Sequence, residues 1–274
     1  MANPIFSRSD SFQPRAPQGY VDPSIQQGYP GPYAQPGAFR QPGYPQQAPS
    51  TEGVVTMDDV IAKTAITMLV LVAAAAATFT LVPDALLNMA LIGSAIVGLI
   101  TVFVVSMRRK VPPAGVLFYA AVEGVFIGAF SKFFESMYPG IVVSAVLATF
   151  VAAGATLAAY RFFNIRVTPK FRKVVSIGTF ALLGVVLVNF VLALFGVDTG
   201  IRGIGSGAGG LSILVSAIAV VLAVLNLVVD FDYVENAIAS RQPASESWRA
   251  AFGITVTMVW LYTELLRILS YFRR

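Results

Sequence analysis

One stretch of the chain decides the fold class. Residues 211–230 read LSILVSAIAVVLAVLNLVVD, and the only charged residue in this run is the last one, Asp230. A helix rises about 1.5 Å per residue, so a helix over this run crosses the roughly 30 Å of hydrocarbon in a bilayer. An apolar run of this length is typical of a transmembrane span.

Runs of similar length and composition follow one another from residue 56 to the end of the chain. The predicted spans are 61–82, 86–106, 114–134, 141–160, 174–195, 211–230 and 250–272. Short connections rich in proline or glycine separate them, including the stretch 200–210, which we interpret as a mobile loop. We therefore predict an all-α membrane protein with seven transmembrane helices.

The composition agrees with a membrane protein and excludes several classes of function. Of the 274 residues, 56% are hydrophobic and 12% are charged. The absence of cysteine and histidine excludes disulfides, most zinc sites and any histidine base, and the motifs of intramembrane aspartyl proteases are missing. We expect no enzymatic activity and no cofactor. The net charge of +5 lies in short loops, which favours anionic lipid headgroups as partners and not nucleic acid.

The first 55 residues differ from the rest of the chain. They are rich in proline, glutamine, glycine and tyrosine, and they lack the apolar side chains that would offset the entropy lost on ordering. We predict a disordered tail over residues 1–55 and a membrane domain over 56–274. The domain begins at Thr56-Met57-Asp58-Asp59, which has the pattern of a capping box before an apolar run.

The placement of lysine and arginine predicts the orientation. The second connection carries Arg108, Arg109 and Lys110, and the fourth carries a larger group of basic residues, whereas the first has none. Basic residues in short loops resist translocation, so the even-numbered connections and the N-terminus are expected in the cytoplasm. We expect the protein in the cell membrane, where seven spans would place the C-terminus outside the cell.

Three acids are candidates for function because a charge within an apolar span is costly. Glu264 lies in the seventh span, Glu123 in the third, and Asp230 closes the sixth. Asn226 precedes Asp230 by one turn, and Arg267 follows Glu264 by three residues. We expect the long side chain of Arg267 to reach water at the outer surface, and Glu264→Gln to leave the fold intact.

Each acid also has a structural interpretation. Glu264 and Arg267 could form an intrahelical ion pair without further function, and Asp230 could mark the water interface. Glu123 stands beside Gly124-x-x-x-Gly128, a pattern that lets a neighbouring helix approach closely. Two interpretations of Glu123 therefore stay open: a protonated side chain that is hydrogen-bonded across such a crossing, or a ligand for an ion.

Several motifs resemble those of the Bax inhibitor-1/YccA-like family. They are Val229-Asp230 and Leu261-Tyr262-Thr263-Glu264, together with Glu246-Ser-Trp-Arg-Ala-Ala-Phe-Gly253, which is similar to the actinobacterial branch. The resemblance covers about residues 57–272. It implies a central seventh helix wrapped by the other six, and a pH-sensitive leak of calcium or other cations gated by acids on the sixth and seventh helices.

On this basis the expected function is a calcium or cation leak channel. Asp230 and Glu264 would be the gate and pH sensor, with calcium as the candidate ion at these two carboxylates, and Glu123, Asn226 and Arg267 as accessory residues. The alternative is a non-conducting regulator that binds another membrane protein such as a protease. The surface around Gly124-x-x-x-Gly128 and the tyrosine-bearing tail would serve that alternative.

Overall fold

The computed structural model describes residues 53–163 and 165–273 of the chain. Over these residues the protein is helical and has no strand. Seven helices are long and apolar enough to cross a membrane. They are α1 (Met57–Leu81), α2 (Leu87–Ser106), α3 (Pro113–Met137), α4 (Ile141–Phe162), α5 (Pro169–Leu194), α6 (Gly210–Ala239) and α7 (Glu246–Tyr271). The predicted fold class is therefore confirmed.

The largest departure from the predicted spans is at the end of α6. The sequence places the end of this span at Asp230, but the helix continues to Ala239. The polar residues of the last turns have partners that permit this, since Arg172 of α5 pairs with Asp232 at 2.7 Å and Tyr160 of α4 donates to Glu235 at 2.8 Å. Asp230 consequently lies inside the helix and does not mark its end.

The seventh helix is the centre of the bundle. It packs against α1, α3, α4 and α6, and it is the most buried of the seven spans. Polar side chains on α7 are buried at Arg249, Thr255, Thr257 and Glu264. A transmembrane helix that carries this many polar groups is stable only where other helices shield them from lipid. The predicted central position of the seventh helix agrees with this packing.

Glycines on α3 let it cross α1 at close range. A Cβ atom on Gly124 would lie 2.4 Å from the Leu71 carbonyl oxygen, and one on Gly128 would lie 2.4 Å from the Ala75 carbonyl oxygen. Without side chains at these two positions the backbones can touch. The predicted close crossing is confirmed, but its partner is α1 of the same chain. This surface is therefore not available to the external protein partner that the alternative function required.

Backbone hydrogen bonds join the start of the membrane domain to the turn between α6 and α7. Thr56 caps α1 through the backbone amide of Asp59 at 3.2 Å, as the capping-box pattern predicts. Just before it, Val55 donates to the Gln242 carbonyl at 2.9 Å, and the Ala244 amide donates to the Gly53 carbonyl at 2.7 Å. Residues 53–55 thus pack with the helices, while the rest of the predicted tail, residues 1–52, lies outside the described residues.

The fifth helix is the most peripheral. Its neighbour in the bundle is α6, and only a small share of its surface is buried. Polar contacts hold it there: Arg172 pairs with Asp232, and Asn226 of α6 donates to the Thr179 hydroxyl at 2.7 Å. Most of the apolar surface of α5 therefore faces lipid.

Candidate functional site

Glu264 is buried in α7 and is held by an arginine from the connection between α5 and α6. The Arg202 guanidinium donates two hydrogen bonds to the Glu264 carboxylate, at 2.6 and 3.2 Å. Only 2% of the Glu264 side chain and 12% of the Arg202 side chain is exposed. A bidentate pair of this kind neutralises the acid inside the protein. Arg202 is the main counter-ion of Glu264, a role that no local sequence pattern predicts.

Arg267 is a weaker partner of the same carboxylate. Its Nε atom lies 4.0 Å from a Glu264 oxygen, and a terminal nitrogen donates to the Arg202 carbonyl at 2.7 Å. Its side chain is 11% exposed. The expectation that Arg267 extends outward to water is therefore wrong, because the connection that carries Arg202 covers it and accepts its hydrogen bond. Two guanidinium groups thus surround one carboxylate.

The glycine-rich connection is anchored, in contrast to the mobile loop expected from its composition. The Gly205 amide donates to the Ser270 hydroxyl at 3.1 Å, and the Gly203 amide donates to the Ser212 hydroxyl at the same distance. Gly205 has a φ of +73°, and a Cβ there would strike the Tyr138 hydroxyl. Glycine is needed because the chain must turn in a left-handed conformation against Tyr138, the residue that follows α3. The connection closes this end of the bundle over α7.

Asp230 occupies a different place in the interior. It is 1% exposed, and one carboxylate oxygen accepts a hydrogen bond from the Thr257 hydroxyl of α7 at 2.6 Å. The other oxygen has no hydrogen-bond partner among the described residues, and no ion pair to Asp230 is found there. A buried carboxyl with an unpaired oxygen is uncommon and needs an explanation.

The two predicted gate residues do not meet. Asp230 lies beside Thr257, which precedes Glu264 by two turns of α7, or about 10 Å along the axis. Within the described part of the chain no hydrogen bond joins the two carboxyls; each has its own partner, Thr257 or Arg202. The central helix nevertheless relates the two acids: Asp230 of α6 contacts α7 at mid-depth, and Glu264 belongs to α7 near the end covered by the α5–α6 connection.

The accessory residues are dispersed. Glu123 lies between α3 and α2, where its carboxylate would be 2.9 Å from a Cβ placed on Gly98. Asn226 donates to Thr179 and to the Leu222 carbonyl, so it links α6 to α5. Neither residue is joined to Asp230 or Glu264 by a hydrogen bond or ion pair in the described ranges. Only Arg267 of the three belongs to the Glu264 cluster.

A second buried ionic cluster, at the opposite end of α7, was not predicted. Arg249 is fully buried, and its Nε donates to Glu246 at 3.0 Å, which also accepts a short hydrogen bond of 2.5 Å from the Tyr233 hydroxyl. Arg249 further donates to the carbonyls of Arg108 and Arg109 in the α2–α3 connection. The sequence signal was the acid and base three residues apart just before the predicted seventh span. This cluster fixes the α2–α3 connection to α7.

Among the described residues the geometry offers no ready-made metal site, because no group of three or more acidic side chains lies close enough to hold a metal ion. A calcium ion takes six to eight oxygen ligands, more than either Asp230 or Glu264 offers with its present partners.

The sequence matches a family model described as Bax inhibitor 1 like over residues 3–274. The chain belongs to the Bax inhibitor 1-like family. The match is wider than the resemblance over about 57–272, since it includes most of the predicted tail. No curated protein matches the sequence.

Family membership and the seven apolar helices together make this Bax inhibitor 1-like protein a multi-pass membrane protein. The motifs that carried the resemblance now have positions in the fold. Val229-Asp230 lies in the buried part of α6 and Leu261-Tyr262-Thr263-Glu264 in the central α7. The Tyr262 hydroxyl is bonded to Ser131 of α3 at 2.6 Å, so this motif also joins two helices.

Proposed function

We propose that the protein is a cation leak pathway along the buried polar side of α7, held closed in this conformation by Arg202. The observation that carries the proposal is the position of Arg202. It brings a positive charge from a connection between helices onto a carboxylate buried in the central helix. Membership of the Bax inhibitor 1-like family supports a transport role.

The Arg202 guanidinium acts as a tethered cation. It occupies the carboxylate that a passing cation would otherwise use, and with Arg267 it makes this end of the path positive. Two unit charges at 4 Å interact by about 4 kcal/mol at an effective dielectric constant of 20. A mobile cation therefore enters only if Arg202 moves away.

Asp230 would be the second acceptor on the path. Its unpaired oxygen lies deeper in the bundle, at the level of Thr257. A cation or a proton that reached this depth would find a carboxylate that has no counter-ion among the described residues. Protonation of Asp230 would change the charge along the path, which makes the leak pH-sensitive.

Flux of calcium and of potassium into sealed proteoliposomes of the pure protein tests this proposal. We expect Arg202→Gln to raise cation flux about tenfold or more over wild type, because a repulsive charge is removed and Glu264 is released. The double variant R202Q/E264Q is the matched control. It lacks both charges, so its flux should return towards the wild-type value.

The outcome also separates the two candidate functions. A non-conducting regulator would show no flux above protein-free vesicles for wild type, R202Q and the double variant at any pH from 5 to 8. Equal flux in R202Q and R202Q/E264Q, above that of protein-free vesicles, would instead support a leak in which Glu264 has no role.

A further inference from the structure

The connection between α4 and α5 and the adjoining ends of the two helices carry an exposed surface that combines positive charge with aromatic side chains. We call it the α4–α5 patch. Its members are Arg161, Phe162, Phe163, Arg166, Lys170 and Lys173, all of which are exposed. It lies on the same side of the membrane as the N-terminal end of α1, because α4 ends and α5 begins there.

The basic residues of the patch have no acidic partner in the described part of the chain. The acids nearby are already engaged: Asp232 pairs with Arg172 and accepts from Asn236, and Glu235 accepts from Tyr160. Arg172 shows that a cation in this segment can turn inward when an acid is available. The four basic side chains of the patch do not turn inward, so the surface there carries a local surplus of positive charge.

The two phenylalanines are unusual for a water-facing loop. Phe162 is 80% and Phe163 is 79% exposed. At the end of a membrane span such rings lie at the boundary between headgroups and acyl chains, where aromatic side chains are enriched. The patch therefore offers an apolar contact directly beside its positive charges.

An opening between helices continues the apolar contact into the membrane. α4 and α5 each pack on α6 but have scarcely any contact with each other. Close to the patch, Leu157 of α4 and Val174 and Ile177 of α5 expose apolar side chains. An acyl chain can run along this surface while its headgroup remains at the connection.

We propose that the α4–α5 patch is a binding site for one anionic phospholipid. The phosphate would be held by Arg166, Lys170 and Lys173, with the acyl chains against Phe162, Phe163 and the exposed side of α4 and α5. A negative charge joined to long apolar chains satisfies both halves of the surface. Soluble phosphates, phosphopeptides and RNA have no long apolar chain that could run along α4 and α5 inside the membrane. Basic clusters at the membrane surface attract anionic lipids by about 1 kcal/mol per residue.

The α2–α3 connection provides a matched comparison. It is also basic and lies on the same side, but it has no aromatic pair, and its backbone carbonyls are engaged by Arg249. The side chains of Arg108 and Arg109 are exposed. Replacing them removes the same charge as replacing two residues of the patch.

The experiment titrates the purified full-length protein in detergent with phosphatidylglycerol or phosphatidylcholine and counts bound lipids by native mass spectrometry. We expect wild type to retain one phosphatidylglycerol preferentially. R166Q/K170Q should weaken its affinity about 30-fold. R108Q/R109Q should change it less than threefold, and F162S/F163S should weaken it although all charges remain.

Three results would overturn the proposal. Equal losses in R166Q/K170Q and R108Q/R109Q would mean that the whole face attracts anions without a site. Equal retention of phosphatidylcholine and phosphatidylglycerol would remove the role of charge. Displacement of the lipid by water-soluble glycerophosphate at the same concentration would show that the acyl chains and the phenylalanines contribute nothing.

Discussion

At the scale of single residues, the Arg202–Glu264 pair changes what a substitution at Glu264 should do. From the sequence, Glu264→Gln was expected to leave the fold intact. In the structure the same change leaves two largely buried guanidinium groups, Arg202 and Arg267, without their carboxylate. Removing one partner of a buried pair costs about 3–5 kcal/mol, whereas replacing both can be nearly neutral.

We therefore expect Glu264→Gln to lower the unfolding temperature of the detergent-solubilised protein and R202Q/E264Q to recover most of the loss. Thermal unfolding followed by circular dichroism measures both. Arg273→Gln, at an exposed residue near the end of the chain, is the control and should change little. If the double variant is no more stable than E264Q, the pair is not what stabilises this end of the bundle.

Asp230 should respond in the opposite way. An asparagine keeps an oxygen that accepts from the Thr257 hydroxyl and removes a buried charge that has no counter-ion in the described structure. We expect Asp230→Asn to unfold at the same or a higher temperature than wild type and to weaken the pH dependence of cation flux. Unfolding and flux are measured on the same preparation from pH 5 to 8. A strong loss of stability with an unchanged pH profile would make Asp230 purely structural.

At the scale of helices, the crossing of α1 and α3 depends on the absence of side chains. A Cβ on Gly128 would meet the Ala75 backbone oxygen at 2.4 Å, and a backbone atom cannot move aside as a flexible side chain can. We expect Gly128→Ala to destabilise the protein by about 1–3 kcal/mol. Reversible unfolding in mixed micelles gives this number.

Gly154→Ala in α4 is the matched control for that substitution. A Cβ at this position meets nothing within 4 Å, and alanine favours a helix more than glycine does. This variant should be neutral or slightly more stable than wild type. If Gly128→Ala and Gly154→Ala changed the stability equally, helix propensity, and not the α1–α3 contact, would determine both results.

The segment before α1 determines how many N-terminal residues can be deleted without loss of stability. Val55 is 2% exposed and joins the turn between α6 and α7 through its backbone, as Gly53 does. We expect deletion of residues 2–50 to leave a monodisperse membrane protein, whereas deletion of 2–55 should lower its unfolding temperature. Size-exclusion chromatography and thermal unfolding compare the two. Aggregation of the shorter deletion would assign a folding role to the tail itself.

At the scale of the whole molecule, the charges of the connections predict the orientation in the membrane. The connections α2–α3 and α4–α5 lie on one side and carry most of the basic residues that occur in connections between helices, while α1–α2 on the other side carries none. We expect reporter fusions after Arg274 to be active outside the cytoplasm, and fusions within the α2–α3 connection to be active inside it. The reverse pattern of reporter activity would invert the topology.

The sequence was sufficient for features that depend on neighbouring residues. The seven spans follow from the length of the apolar runs, the start of α1 from its capping box, and the close crossing from Gly124 and Gly128. The end of α6 was predicted nine residues too early, because Asp230 resembled a boundary and its partner Thr257 lies on another helix.

What the sequence by itself determined is the class of protein: a chain whose apolar runs are long enough to cross a bilayer has to place them there. The tertiary structure alone decided the state of each buried charge. Arg202 and Glu264 lie 62 positions apart, and no local pattern shows that the glycine-rich connection returns to the central helix. Spacing along one helix indicates which residues share a face, but counter-ions within a membrane bundle come from whichever segment the packing brings near. That packing gave Glu264 two arginines and left Asp230 with a hydroxyl.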